Sequence, residues 1–153
     1  MTPGYQGTRG AAATASAAEP QPAGKDEDAQ FLAALEATTL PPDQFNHAAH
    51  VRAGYLYLRE TAFPQATAAM CATIALYSQA IGKPGRYHET ITVAFMALIN
   101  ERMRRDGDRG GWPQFRAANA ALFQPDALLA YYPRTVLESA EARSTFTLMP
   151  LAG

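Results

Sequence analysis

Apolar residues in this chain recur at three- and four-residue intervals, in blocks that proline and glycine separate. That spacing puts them on one face of an α-helix, and no segment shows the apolar–polar alternation of a half-buried strand. The spacing predicts helices at about 27–37, 42–60, 63–81, 86–105 and 112–123, followed by shorter helical turns. The predicted fold is an all-α, up-down bundle of four to six helices joined by short loops.

Residues 1–28 are rich in alanine, glycine, threonine, serine and proline, and they lack a periodic apolar pattern. Such a segment buries too little surface to offset the entropy of ordering it, so we predict a disordered leader. It has no apolar stretch behind a basic start, as a secretory signal would. Residues 29–153 are then expected to form one helical domain.

The charge balance argues against several classes of partner. The chain has 13 basic and 14 acidic residues, a formal net charge of −1, which favours neither nucleic acid nor an anionic membrane. Its single cysteine, Cys71, cannot form an intrachain disulfide, which is typical of a cytoplasmic protein. We expect a small-molecule substrate as the partner, with a homodimer possible.

All three histidines are predicted to meet at one end of the bundle. His47 and His50 are three residues apart, a spacing that puts both on one helix face. Short loops make consecutive helices antiparallel, so the helices at 42–60 and 86–105 run parallel and bring His88 to the same end. Three imidazoles with an open position suit a divalent transition metal, and zinc, iron and copper all accept such ligands. The alternative is three core histidines with ordinary hydrogen bonds.

Neighbouring residues supply candidate chemistry. Glu89 is a candidate fourth ligand or general base, and Tyr87 adjoins His88 and is a candidate catalytic residue. Arg86 is a candidate for binding an anionic substrate, although an exposed arginine in a first helical turn is an equally good interpretation. Cys71 lies about ten residues, or roughly 15 Å, along its helix from the histidine end, which favours a core role.

Gly54 falls in the middle of the second predicted helix. Glycine there costs about 1 kcal/mol relative to alanine, so we predict close approach by another helix at this point.

The pattern Phe45-x-His47-x-x-His50, followed by Tyr87-His88-Glu89-Thr90, resembles a family of small bacterial all-helical proteins without an established activity. Phe115, Asn119, Tyr131-Tyr132 and Ala142-Arg143 extend the resemblance over about residues 30 to 150. The chain is also distantly similar to helical-bundle metal proteins of the DinB type, which gather three histidines. In those proteins a histidine pair four residues apart comes late in the chain, a spacing absent here.

Three functions follow from these patterns. The first is a metal-dependent enzyme for a small organic molecule, carrying out oxidation or hydrolysis/lyase chemistry. The second is a metal-free enzyme in which His47 or His50 pairs with Glu89 or Asp43 for isomerisation, cyclisation or decarboxylation. The third is a non-catalytic helical module, which gives no reason for the histidines to cluster.

Overall fold

The computed structural model describes residues 23–107 and 110–148, and within them all regular structure is helical, which confirms the predicted class. Four longer helices come first: α1 (Ala23–Glu36), α2 (His47–Glu60), α3 (Phe63–Ala80) and α4 (Glu89–Asp106). Three short helices follow: α5 (Trp112–Ala118), α6 (Arg134–Leu137) and α7 (Ala140–Ser144). Single 3₁₀ turns lie at Pro42–Gln44, Pro84–Arg86, Ala120–Phe123 and Ala127–Ala130.

Several predicted boundaries are shifted. Helix α1 begins at Ala23, so the leader boundary drawn at residue 28 is too late, and residues 1–22 lie outside the described part of the chain. Helix α2 begins five residues after its predicted start, because the side chain of Asn46 accepts a hydrogen bond from Ala49 N and caps the helix there. The predicted helix at 112–123 is split, since α5 ends at Ala118 and a 3₁₀ turn continues.

Helices α2, α3 and α4 form the up-down-up part of the bundle. Phe45, just before α2, packs edge-on against Tyr77 near the end of α3, so α2 and α3 are antiparallel. Helices α2 and α4 run in the same direction, because His47 contacts Phe95 while Gly54, two turns later, faces Ile99. The topology that the histidine prediction required is therefore present.

The core is centred on these three helices and includes Val51, Ile74 and Ile99, none more than 5% exposed, and α1 and the C-terminal segment add further buried apolar residues to it. A Cβ atom at Gly54 would lie 2.9 Å from both the Cδ1 atom of Ile99 and the Sδ atom of Met96. This confirms the predicted close approach at Gly54. Among the described residues, no helix is long and apolar enough to cross a membrane.

The C-terminal segment, residues 112–148, docks on the bundle partly through buried polar side chains. Thr90 of α4 is fully buried; its hydroxyl donates to Thr145 O at 3.0 Å and accepts from Thr147 N at 3.0 Å. Asn119 is also buried, and its Nδ2 donates to Asp106 Oδ2 at the end of α4. Short helices have little stability of their own, so such contacts fix where they lie.

Candidate functional site

His47 is the first residue of α2 and is partly buried. Its Nε2 lies 2.8 Å from Leu122 O, and because a carbonyl only accepts, Nε2 carries the proton and donates it. The ring packs edge-on against Phe95, with centroids 4.9 Å apart. The opposite nitrogen, Nδ1, has no hydrogen-bond partner in the described ranges.

His50 lies one turn further along α2 and stacks on Phe45, with ring centroids 3.8 Å apart and planes 20° apart. Its Nδ1 donates to Asn46 O at 2.9 Å, which fixes the tautomer and leaves a lone pair on Nε2. Within residues 23–107 and 110–148, no protein group hydrogen-bonds to Nε2. Burial lowers the pKa of His50 below 6.5, nearby His47 lowers it further, and the bond to Asn46 opposes the shift.

Both side chains line one cavity of about 260 Å³ between α2, α3 and α4, here called the His50 cavity. Its polar lining consists of Asn46, His47, His50 and Thr92. The remainder is apolar and includes no charged residue: Phe45, Val51, Met70, Ile74, Ile91, Phe95, Met96 and Ile99. The cavity thus combines an apolar wall with two imidazoles, each of which has one ring nitrogen without a hydrogen-bond partner among the described residues.

His88 is placed differently, because both of its ring nitrogens have protein partners. It is 6% exposed and caps α4: Nδ1 accepts from Ile91 N at 3.1 Å. Nε2 donates to Leu137 O at 2.7 Å. His88 does lie near His47, since both line a second cavity of about 360 Å³, here called the His88 cavity. The topology brings the histidines to one end, as predicted, but their ring nitrogens have different partners.

The predicted metal ligands were His47, His50 and His88. Both ring nitrogens of His88 are already hydrogen-bonded to protein groups, so His88 has no free nitrogen for a metal. Among the described residues, no group of three or more histidine, cysteine, aspartate or glutamate side chains is arranged to hold an ion. A site made by all three histidines requires His88 to give up one of its two hydrogen bonds. The three-histidine metal centre stays a prediction.

Tyr87 and Glu89, the predicted catalytic pair, contact each other: the Tyr87 hydroxyl donates to Glu89 Oε2. Cys71 of α3 also lies against that hydroxyl, and burial raises the pKa values of both Cys71 and Tyr87. Neither Tyr87 nor Glu89 lines the His50 cavity or the His88 cavity. The sequence did not predict that Cys71 lies close to Tyr87. The distance was judged from the rise along α3 alone, which ignores the length of the Tyr87 side chain just before α4.

Arg86, the predicted anion-binding residue, is exposed and lines neither cavity. Asp43 is exposed as well. Arg143 from α7 lies closer to the histidines than the sequence indicated: its Nη1 donates to Gly85 O at 2.6 Å and lies 3.4 Å from Tyr87 O, and the side chain lines the His88 cavity. In the sequence Arg143 entered only through the family resemblance, since an arginine 55 residues after His88 has no helical spacing that would place the two together.

Protein-family models, curated proteins and solved structures yield no match to this chain. The resemblance to small bacterial helical proteins and the similarity to the DinB type remain predictions. The functional argument accordingly rests on the geometry of the two cavities.

Proposed function

We propose that this chain is a metal-free acid–base enzyme that acts on a small, largely apolar organic molecule held in the His50 cavity. His50 is the proton acceptor. The single observation that carries the proposal is its hydrogen bonding: Nδ1–H donates to Asn46 O, while Nε2 has no partner among the described residues. We infer a cytoplasmic enzyme from the single cysteine.

The electrostatics of the cavity suit a base. An imidazole that takes part in general base catalysis must be neutral at the working pH, and burial lowers the pKa of His50 in that direction. Stacking on Phe45 and the bond to Asn46 hold the ring in one orientation. A base fixed in this way loses little entropy when it meets a bound proton donor.

The walls of the cavity restrict the substrate. Its volume of about 260 Å³ equals that of roughly nine liquid waters, which suits a compact molecule. Because no charged residue lines it, a charged ligand would lose its hydration without compensation. We therefore propose a neutral substrate with an apolar body and one polar group.

Isomerisation is the reaction class that needs the fewest additional groups. Nε2 of His50 takes a proton from a carbon beside the polar group of the substrate, and the C–H electron pair moves into the substrate. The resulting imidazolium returns the proton to another atom of the same molecule. No oxidant, reductant or second substrate is required, and His47 is available to accept a hydrogen bond at Nδ1.

Deuterium exchange tests the proposal. The full chain is incubated in D₂O with small neutral ketones as probes, incorporation is measured by mass spectrometry, and imidazole resonances are followed by NMR. We expect exchange whose rate is still undiminished at pH 6.5 and falls only at a lower pH, where His50 becomes protonated, and a loss of about a hundredfold in His50→Gln. Arg104→Gln, at an exposed site that lines neither cavity, is the control and keeps the full rate. Equal rates in His50→Gln and the unaltered chain, or no shift of the His50 resonances with any probe, would refute the proposal.

A metal centre on His47 and His50 is the second candidate. The observation that favours it is that His47 and His50 line one cavity, and that Nδ1 of His47 and Nε2 of His50 have no hydrogen-bond partner among the described residues. Calorimetric titration with Zn²⁺, Fe²⁺ and Cu²⁺ separates the candidates. Stoichiometric binding that His47→Ala and His50→Ala both abolish supports the metal centre, and its additional loss in His88→Ala supports the three-histidine ligand set.

A further inference from the structure

The His88 cavity differs from the His50 cavity in that charged side chains line it. It has an apolar floor that includes Phe95, Leu128 and Leu137, and its charged lining consists of Arg134, Arg143 and Glu138. Two guanidinium groups against one carboxylate give this cavity a positive balance in a chain whose net charge is −1.

Arg134 and Arg143 both have guanidinium N–H groups that are not used in hydrogen bonds among the described residues. Among the described residues Arg134 has no ion pair and no hydrogen bond through its side chain. Arg143 uses Nη1 for Gly85 O and Tyr87 O, which orients the guanidinium and leaves its other nitrogens available. A guanidinium offers paired N–H groups that match the two oxygens of a carboxylate.

We propose that the His88 cavity binds a small amphipathic carboxylate, with its apolar part against Leu128 and Leu137 and its carboxylate near Arg134 and Arg143. The inference is independent of the acid–base function, because it concerns a different cavity, whose charged residues have no counterpart in the His50 cavity. The two cavities share a wall made by His47, Ile91 and Phe95, so a ligand in the His88 cavity is adjacent to the first histidine of α2.

Binding of matched six-carbon probes to the full chain tests this site. Hexanoate, 1-hexanol and hexyl phosphate are titrated separately, and backbone NMR shifts report where each one binds. We expect hexanoate to bind about tenfold more tightly than 1-hexanol, with shifts at Leu128, Leu129 and Leu137. Arg134→Gln should weaken hexanoate binding about fivefold and leave 1-hexanol binding unchanged, as expected for one exposed charge contact.

Arg104→Gln is the matched control, because Arg104 is exposed, lies at the opposite end of α4 and lines neither cavity. It should bind hexanoate as the unaltered chain does. The proposal is overturned if 1-hexanol binds as tightly as hexanoate, if Arg134→Gln has no effect, if no probe binds, or if hexyl phosphate binds far more tightly than hexanoate. Shifts confined to Val51, Met70 and Ile74 would instead place the ligand in the His50 cavity and overturn this site without affecting the acid–base proposal.

Discussion

The bundle of α2, α3 and α4 and the C-terminal segment 112–148 are held in place by different interactions. The three long helices pack through apolar side chains such as Ile74 and Ile99, which are almost fully buried. The C-terminal segment buries apolar residues in the same core, but hydrogen bonds from the bundle also fix its position: His47 to Leu122 O, His88 to Leu137 O and Thr90 to Thr145 O. Apolar packing is not directional, whereas each of these bonds specifies one atom of the segment.

This difference explains what two of the histidines do. His47 and His88 each donate an N–H group to a backbone carbonyl of the C-terminal segment, so both help to anchor it. His50 instead bonds to Asn46, the capping residue of α2, and among the described residues it makes no hydrogen bond to the segment. Two of the three histidines thus anchor the C-terminal segment, and the third is the one for which we propose a chemical role.

The largest effect is expected from a cavity in the bundle. Ile99→Ala removes a side chain that is 1% exposed, and we expect a loss of about 2–5 kcal/mol in the free energy of unfolding. Urea unfolding followed by circular dichroism measures it. Leu76→Ala on α3 is the control, since Leu76 is 54% exposed and should change stability by less than about 0.5 kcal/mol. Equal losses in the two variants would contradict an apolar core between the long helices.

An intermediate effect is expected at the boundary between the two regions. His88→Ala removes the cap of α4 and leaves Leu137 O without its donor, so we expect a loss of about 1–3 kcal/mol. Hydrogen exchange should accelerate in residues 134–147 more than in α2 and α3. His88→Asn restores the cap but is too short to reach Leu137 O, and it should recover part of the stability. Acceleration spread evenly over the chain would show that the C-terminal segment does not loosen separately.

The smallest effect is expected from protonation of His50. Its folded-state pKa is lowered, so between pH 6.5 and that lower value the unfolded chain binds a proton that the folded chain does not. Stability should therefore fall as the pH drops below 6.5. Thermal unfolding of the unaltered chain and of His50→Gln, measured between pH 7.5 and pH 5, tests the sign. A steeper acid loss in His50→Gln would mean that burial does not disfavour the charged form.

The helical fold could be predicted from sequence because periodicity and proline spacing are local signals. Helix α3 was predicted to run from residue 63 to 81 and runs from Phe63 to Ala80. The start of α2 was wrong because capping by Asn46 competes with the earlier proline start. The close approach at Gly54 was predicted correctly, since an unfavourable residue in a helix indicates a compensating contact.

The site could be predicted only in part. Short loops fixed the common end of His47 and His88, because loop length determines helix direction. The ring partners could not be predicted, since Leu122 and Leu137 are 75 and 49 residues away from the histidines they pair with. A backbone carbonyl leaves no trace in residue type, so nothing in the sequence marked His88 as fully hydrogen-bonded.

The hydroxyl of Thr90 donates a hydrogen bond to Thr145 O and accepts one from Thr147 N, so it contacts two backbone groups that are two residues apart on the C-terminal segment. Displacing this segment along α4 would break both hydrogen bonds at once. One buried threonine therefore helps to hold the segment at one position on α4, because a displaced segment would leave its hydroxyl buried and without a partner.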